Sequence, residues 1–455
     1  MKITPTIRAE LEQFLQQENM SLTQFGQIAG MNRGMVSAIV TGNKSMSVNQ
    51  LDLITEAMGL PEGYYYDLFI ENFIIDHPPN MRRIEPFLFR CAELDKLDAI
   101  RRVVGAIMDN LLYSPKLFEI AETLLAQGRN AAALILYEGV AEAEKYQHSE
   151  RLAICQYRIF TIRVGDDQEK SYDAAVQFEP YIERLDEIDQ LDALRALVNI
   201  YRSLRKWAKM DTFATALGNK AEIQYRIDLQ RTKGEETKKP FYPPFVYWAF
   251  SQLIRAEVCE ANKDFEKALL YTNTYADLSW VKDTDEITVK WKKQFKEWAI
   301  INTYLNKLLS GDTSVLADYV TYVSSRKDEL LPALDIIVEA ANRYHFDVDD
   351  ILNQFEVEIS SYLEEQKIES FYTQRFIEER IIHFSMELSV YYLTKGRFSD
   401  GFTFLLNCLA KSTLINNKSY IIKCVKLYDS YQEYATPETK VTYRNLIKEV
   451  EEDEA

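Results

Sequence analysis

Near the start of the chain, a short stretch from Arg33 to Thr41 carries side chains suited to hydrogen bonding with another molecule. If this stretch is helical, one face presents Arg33, Gly34, Ser37, Ala38 and Thr41, which are small or polar and nearly free of bulk. Such a face fits the major groove of DNA, where one arginine can form two hydrogen bonds with a guanine. The competing interpretation of Arg33 is an ordinary solvated surface charge.

Two short helices joined by a turn would position that stretch. Ser21 and Asn32 are typical N-cap residues, one before each helix. Gly30 lies between the helices, where a turn requires a backbone free of Cβ steric limits. The sequence from Leu22 to Ile39 therefore predicts a helix-turn-helix motif. Its small core would consist of Phe25, Ala29, Val36 and Ile39.

Further helices are predicted on both sides of this motif. One runs from about Thr6 to Glu18, one begins at Val48 after the capping residue Ser47, and one begins at Pro61. Apolar residues recur with helical spacing in the first two of these segments. The N-terminal region is therefore expected to be a bundle of five helices.

This five-helix order resembles the Xre family of repressor-like DNA-binding domains over about residues 6–69. Gly42 follows the second helix of the motif and Leu60 follows the glycine that ends the fourth helix, as in that family. The resemblance implies a lambda-repressor-like fold and implies that Arg33, Gly34 and Ser37 face base edges. It also implies a set of residues that face phosphates: Thr23, Gln24, Asn32, Asn43 and Lys44.

The charge of this N-terminal region is unusual for a DNA-binding domain. Residues 1–70 contain four cationic and seven anionic side chains, a net charge of -3. Contacts with phosphates dominate non-specific affinity for DNA, so a single copy should bind weakly. Either two copies act together on a palindromic operator, which we favour, or the domain contacts another protein.

The remainder of the chain predicts an all-α protein built from pairs of helices. Only 15 glycines and 12 prolines occur among 455 residues, which favours long helices. Three similar segments, 124–146, 254–278 and 388–412, read as a helix, a polar turn and a second helix. Residues 192–217 and 295–325 fit the same scheme. In the turns, Gly128, Gly396 and Asn262 are predicted to adopt the left-handed backbone that ends a helix.

These segments resemble tetratricopeptide repeats, which implies a right-handed helical solenoid after the N-terminal domain. The expected organisation is a DNA-binding domain at 1–70, a linker helix and boundary at 71–85, and a repeat domain at 86–455 for peptide binding and dimerisation. The boundary follows from Pro78 and Pro79, since a helix does not continue through them.

The inner surface of such a superhelix suits an extended peptide. Amide side chains can satisfy both the N–H and the C=O groups of a strand-like ligand. The candidates within otherwise apolar helical runs, and two neighbouring arginines, are Asn199, Asn302, Asn407, Arg195 and Arg202. The other interpretation of each asparagine is a locally bonded core residue.

One segment interrupts the helical rhythm. Residues 231–248 contain three prolines and a basic run, and are predicted to form a surface loop between repeats. A second interpretation is a lid over the peptide groove that uses Phe241, Tyr242 and Phe245.

Several classes of protein are disfavoured. A net charge of -17 argues against a polybasic nucleic-acid coat or a membrane-surface protein. No stretch approaches the roughly 20 apolar residues of a membrane span, the N-terminus lacks an apolar signal core, and five scattered cysteines suit a reducing compartment, so we expect a cytoplasmic protein. Recognisable catalytic and metal-binding motifs are absent, so we expect no enzyme activity, cofactor or metal. Asp347 is predicted to cap the helix that follows it.

The whole architecture resembles the RRNPP family of peptide-pheromone receptors from Gram-positive bacteria. That resemblance implies a quorum-sensing transcription regulator that forms a homodimer through its repeats and binds operator DNA. A short imported signalling peptide would shift the solenoid between two curvatures and so change the spacing of the two recognition helices. Two alternatives remain open. In one, the repeats sequester a response regulator or another protein; in the other, the chain is an enzyme of unrecognised type.

Overall fold

A computed structural model describes residues 6–43, 45–76, 78–165, 167–230, 238–364 and 374–452. Within these residues the chain is all-α, as predicted, with 24 α-helices and no strand. None of the helices in the described ranges combines the length and the apolar character that crossing a lipid bilayer requires. Contacts between residues divide the chain into two compact units, Met1–Ile162 (unit 1) and Arg163–Ala455 (unit 2). The predicted boundary at 71–85 lies inside unit 1, and its role as a functional division stays a prediction.

Unit 1 begins with short helices and continues with longer pairs. A π-helical turn, Glu71–Ile75, follows the fifth helix. The last helix extends one residue beyond the unit. The helices are α1 Ile7–Gln17, α2 Leu22–Ile28, α3 Arg33–Val40, α4 Val48–Ala57, α5 Tyr66–Ile70, α6 Met81–Glu93, α7 Leu97–Ile107, α8 Ser114–Ala126, α9 Asn130–Ala143 and α10 Glu150–Arg163.

The predicted helix starts around α2, α3 and α4 are confirmed. The side chain of Ser21 accepts a hydrogen bond from the backbone N–H of Gln24, and Asn32 caps α3 in the same way. Ser47 caps α4. These side-chain oxygens satisfy N–H groups that a helix start leaves unpaired. Gly30 has the left-handed backbone expected of the turn, with φ +64°. The predicted core residues Phe25, Ala29, Val36 and Ile39 are buried.

The predicted start of the fifth helix at Pro61 is wrong, since α5 begins at Tyr66. The left-handed backbone of Gly63, φ +74°, interrupts helical geometry before that point. The aromatic side chains that follow are packing residues. The rings of Tyr66 and Phe69 each lie 5.0 Å from the ring of Phe87 on α6. Burial of this aromatic cluster joins the short N-terminal helices to the rest of unit 1.

Unit 2 consists of longer helices, most of which pack on the helix that follows them in the chain. They are α11 Gln168–Phe178, α12 Glu187–Ser203, α13 Trp207–Gln230, α14 Pro244–Ala261, α15 Phe265–Ala276, α16 Glu286–Leu309, α17 Leu316–Val323, α18 Lys327–Tyr344, α19 Asp349–Gln354, α20 Glu356–Glu364, α21 Gln374–Thr394, α22 Phe398–Leu414, α23 Lys418–Tyr431 and α24 Pro437–Glu452.

The turns between paired helices follow one pattern, with one correction to the prediction. Gly128 and Gly396 have left-handed backbones, φ +74° and +76°. The prediction for Asn262 is wrong, because it has φ -84° and the left-handed residue is Lys263, φ +61°. In each turn the left-handed residue is the second after the last helical residue, and Asn262 is the first.

The N-terminal and C-terminal parts of unit 2 contact each other. Helix α12, which lies early in the unit, packs on α21, which lies late in it. The backbone N–H of Gln168 donates to the carbonyl oxygen of Ile415 over 3.2 Å. Lys418 forms an ion pair with Glu169 at 3.0 Å. The helices between these contacts surround a cleft.

Candidate functional site

The exposed face of α3 matches the one expected from the sequence. Arg33 and Gly34 are exposed and Ser37 is half-buried. On the other side of the helix, Val36 and Ile39 are fully buried. Among the residues that the structure describes, Arg33 has no hydrogen-bond or ion-pair partner. The core therefore uses one side of α3, and the other side presents a guanidinium group to solvent.

The residues expected to face phosphates lie close to that face in sequence. Thr23, Gln24, Asn32 and Asn43 are exposed, whereas Lys44 lies outside the described residues. Two of them, Gln24 and Asn32, also form hydrogen bonds that stabilise the N-termini of α2 and α3. The side-chain oxygen of Gln24 accepts from the backbone N–H of Ser21 over 2.9 Å, and that of Asn32 accepts from the N–H of Met35 over 2.8 Å. Their amide NH₂ groups can still donate hydrogen bonds.

The second candidate site is the cleft of unit 2, which encloses about 650 Å³. That volume is typical of pockets for small ligands. Its walls come from α12, α13, α14, α16, α17, α18, α21 and α23. Several of these helices contribute residues three or four positions apart, which share one face. On α14 these are Leu253, Glu257 and Glu260, and on α18 they are Asp335, Glu339 and Arg343.

Most charged groups of the cleft are paired across different helices. Arg202 on α12 lies 2.7 Å from Glu257 on α14. Arg205, after α12, lies 3.3 Å from Glu379 on α21. On α18, Arg343 lies 2.6 Å from Glu339 one turn earlier. Pairing reduces the cost of removing these charges from water.

His383 and Asp335 form the pair that joins α21 to α18. The Nδ1 atom of His383 lies 2.7 Å from Oδ1 of Asp335, and both residues are buried or nearly so. Burial on its own would lower the pKa of His383, but the charge of Asp335 and its hydrogen bond outweigh this effect and raise the pKa. The charged form of the imidazole is therefore favoured beside this carboxylate.

Glu260 differs from the other carboxyl groups of the cleft. Burial raises its pKa to about 8, and the negative charge of Glu257 adds to this increase. Its Oε1 accepts a hydrogen bond from Nδ2 of Asn306 over 2.7 Å. No cationic side chain of the described residues lies within ion-pair distance of it. Burial also raises the pKa of Glu339.

Lys423 is the cationic counterpart in this cleft. Burial lowers its pKa, and the positive charge of Arg205 lowers it further. The Nζ atom lies 4.2 Å from the centre of the Tyr420 ring. No carboxylate among the described residues forms an ion pair with it. Among the described residues of the cleft, Glu260 and Lys423 are therefore a carboxyl group and an amine without an ion-pair partner.

Two of the five residues expected to bind a ligand line the cleft, Arg202 and Asn302. Arg202 is held by Glu257, and Nδ2 of Asn302 donates to the hydroxyl of Tyr275 over 2.7 Å. The other three are not among the lining residues. The Arg195 guanidinium lies 4.7 Å from the centre of the Tyr242 ring. Asn199 is half-buried on α12.

Asn407 fits the other interpretation offered for the asparagines. It is half-buried on α22, and its Oδ1 accepts from the hydroxyl of Ser385 over 3.3 Å. None of the aromatic residues considered for a lid lines the cleft either. Phe245 is buried at the start of α14, Tyr242 packs on Trp291 with ring centres 5.3 Å apart, and Phe241 is exposed. Residues 231–237 of that segment lie outside the described residues.

The acidic segment at residues 347–350 acts structurally. The N-cap position of α19 is Val348, one residue later than predicted, but Oδ1 of Asp347 does accept from the backbone N–H of Asp349, the first residue of the helix, over 2.8 Å. Lys395 lies 2.7 Å from Asp347 and 2.9 Å from Asp349. Within the described ranges, no group of three acidic, histidine or cysteine side chains is arranged to hold a metal ion. Comparison with family models, with curated proteins and with solved structures gives no match to this chain.

Proposed function

We propose that this protein is a cytoplasmic transcription regulator that binds operator DNA through α2 and α3 and is controlled by a short signalling peptide bound in the cleft of unit 2. The observation that carries the DNA-binding part is the exposed, unpaired Arg33 on a helix whose opposite side is buried. In this proposal α2 and α3 form a helix-turn-helix, and Arg33 reads guanine through two hydrogen bonds.

The cleft supports the peptide-binding part of the proposal. A peptide presents backbone N–H and C=O groups together with charged ends or side chains. Polar groups of both signs line the cleft between apolar side chains such as Leu253, Ile301 and Leu305. A ligand there would contact several helices at once, so it would favour the arrangement of unit 2 that fits it best.

The net charge of -3 over residues 1–70 makes a homodimer part of the proposal. Two copies on a palindromic operator would double the number of phosphate contacts. Deletion of residues 418–455 is not a clean test of dimerisation, because Tyr420, Cys424 and Tyr428 of α23 belong to a buried core cluster of unit 2. Sedimentation of the intact chain tests the oligomeric state without damage to that core.

Arg33→Ala tests the DNA-binding part. The full-length protein is used to select bound sequences from a random duplex library, and the enriched site is then footprinted. We expect the wild type to enrich a palindrome. We expect Arg33→Ala to bind it more weakly by about 1–3 kcal/mol and to lose preference at one base position in each half-site.

Arg101→Ala is the matched control, because Arg101 is an exposed arginine on α7 that pairs with Asp98. It should enrich the same palindrome as the wild type. Unchanged base preference in Arg33→Ala would remove Arg33 as a reader, and the absence of any enriched sequence would contradict the DNA-binding proposal.

The same negative charge favours a second candidate function, in which the protein sequesters a protein partner such as a response regulator. In that case, the selection would recover no palindrome. A protein partner would instead co-purify with the intact chain from its own host and remain bound in the Arg33→Ala variant. A native mass measurement of the same preparation would detect a bound peptide if the first proposal is correct.

A further inference from the structure

We propose that the cleft of unit 2 recognises a cationic group of its ligand, an ammonium or a guanidinium, through the carboxyl group of Glu260 and the hydroxyl group of Tyr319. This inference rests on the proposed peptide-binding function and specifies its ligand chemistry. Both residues line the cleft, Glu260 from α14 and Tyr319 from α17.

The charge balance around Glu260 carries the first step. Glu257 and Glu379 are each held by an arginine, and Asp335 is held by His383. Glu329 accepts a hydrogen bond from the indole N–H of Trp298 over 3.0 Å. Among the carboxylates that the structure describes along the cleft, Glu260 is the one whose only hydrogen bond comes from a neutral amide, that of Asn306.

Asn306 holds Glu260 in place without neutralising it. Its Nδ2 donates both to Oε1 of Glu260 and, over 2.8 Å, to the carbonyl oxygen of Asn302 one helical turn earlier. Asn306 itself is fully buried. The carboxyl group therefore has a fixed position in the wall, and its second oxygen can accept from a ligand.

Tyr319 provides an independent observation. The residue is fully buried, and its hydroxyl has no hydrogen-bond partner among the described residues. Its ring is fixed against the ring of Tyr304, 5.6 Å between centres. Burial raises the pKa of this hydroxyl. The positive charge of Arg380 opposes that rise, whereas the charges of Glu329, Glu260 and Asp335 add to it, and all four of these residues line the cleft. Buried hydroxyl groups are nearly always paired, so an unpaired one in a cleft indicates where a ligand atom binds.

An ammonium group has the donors that both sites require. It has three N–H donors and no acceptor, so it requires acceptor oxygens such as a carboxylate and a hydroxyl. A guanidinium meets the same requirement with five donors. The groups that act on Glu260 are Glu257 on the same helix and Arg202, Asn306 and Glu339 on neighbouring helices; the two carboxylates favour a positive charge beside Glu260, and Arg202 opposes them.

The test uses the full chain and two kinds of probe. The first is a pool of acetylated, amidated hexapeptides that contain one lysine among uncharged residues, paired with a pool in which norleucine replaces the lysine. The second is spermidine, a cation without peptide groups. Affinity selection followed by mass spectrometry measures retention of the peptides, and calorimetry measures spermidine binding.

We expect the wild type to retain lysine peptides at least tenfold more than norleucine peptides. Glu260→Gln preserves the shape and the acceptor oxygen for Asn306 but cannot ionise beside a bound cation, and Tyr319→Phe removes a single oxygen. Both variants should abolish this preference. Glu222→Gln, which changes an exposed glutamate of α13, should leave it intact.

The outcomes separate this inference from the function on which it rests. Equal retention of lysine and norleucine peptides would overturn the cationic site and leave the peptide proposal standing. Binding of spermidine alone, lost in Glu260→Gln, would support the cationic site and contradict the peptide proposal. Retention of neither probe, or retention unchanged in both Glu260→Gln and Tyr319→Phe, would overturn the inference.

Discussion

The face of α3 and the cleft of unit 2 hold their charged groups in different ways. Arg33 is exposed and unpaired, and the residues that position α3 lie within a short stretch of chain around it. In the cleft, the charged groups are at least partly buried, and several are paired with helices far away in sequence, as Arg205 is with Glu379, 174 residues apart. The position of the exposed face is determined by residues close to it in sequence, whereas the charge pairs of the cleft depend on the packing of helices that are distant in sequence.

Among the substitutions considered, removal of the Glu379 side chain should cause the largest loss of stability. Glu379 is 5% exposed and accepts from Nε2 of Gln168 over 3.0 Å and from Nδ2 of Asn417 over 2.8 Å. Glu379→Ala leaves both buried amides without an acceptor and should lower the free energy of unfolding of unit 2 by about 3 kcal/mol. All five tryptophans lie between Trp207 and Trp298, so tryptophan fluorescence in urea follows unit 2.

Glu222→Ala is the control for this measurement, because Glu222 forms an exposed pair with Arg226 within one helix. It should change stability by less than about 0.5 kcal/mol. Equal effects of the two substitutions would mean that the buried network stabilises unit 2 no more than a surface pair does.

Gly26→Ala should give the next largest effect, in unit 1. A Cβ atom at Gly26 would lie 2.5 Å from the carbonyl oxygen of Met31, so α2 and the turn must move apart. We expect a loss of about 2 kcal/mol, seen by circular dichroism. Tryptophan fluorescence should not report it, since unit 1 contains no tryptophan.

Gly34→Ala sharpens this result, because the nearest atom to a Cβ there is 3.4 Å away and α3 gains a better helix former. It should stabilise unit 1 by up to about 1 kcal/mol. If Gly26→Ala were as well tolerated as Gly34→Ala, the close approach at Gly26 would carry no energetic weight.

The pH dependence of unit 2 is expected as a gradual slope of stability against pH, small for each pH unit. Glu260 has its pKa raised from 4.5 to about 8, so between these pH values the folded state keeps a proton that the unfolded state has lost. A rise in pH therefore favours unfolding across this range, by at most about 1.4 kcal/mol per pH unit. Urea unfolding followed by tryptophan fluorescence measures this slope.

Glu260→Gln should flatten the slope without abolishing it. Glu339 and His383 also have raised pKa values and contribute in the same direction. The other charged groups that face Glu260 are Glu257 and Arg202. A slope identical to that of the wild type would show that Glu260 ionises in the folded cleft as it does in water.

The local rules that predicted the N-terminal helices worked because their physical causes are local. Ser21, Asn32 and Ser47 cap helices through hydrogen bonds to residues three positions away. The two errors are also local. At Pro61 a favourable start signal was outweighed by the left-handed backbone of Gly63, and at Asn262 the pattern was read one residue too early.

The cleft could not be predicted in the same way. Asp335 and His383 lie 48 residues apart, and only the packing of α21 on α18 brings them within 2.7 Å. A partial signal existed, since Asp335, Glu339 and Arg343 recur every four residues among the mostly apolar residues of α18 after its first turn. Such a charged stripe indicates a polar neighbour without identifying it. The asparagines alone were a poor guide, because one of the three, Asn302, lines the cleft.

The contact between the first and last helices of unit 2 restricts how a bound molecule can act. In a row of paired helices whose two ends do not contact each other, each pair can shift by itself, and a local displacement affects only the neighbouring pairs. In unit 2 the hydrogen bond from Gln168 to Ile415 and the ion pair of Glu169 with Lys418 join the first helix to the region near the end of the unit. A ligand in the cleft must therefore either move the helix pairs together or break the contacts that join the two ends of unit 2.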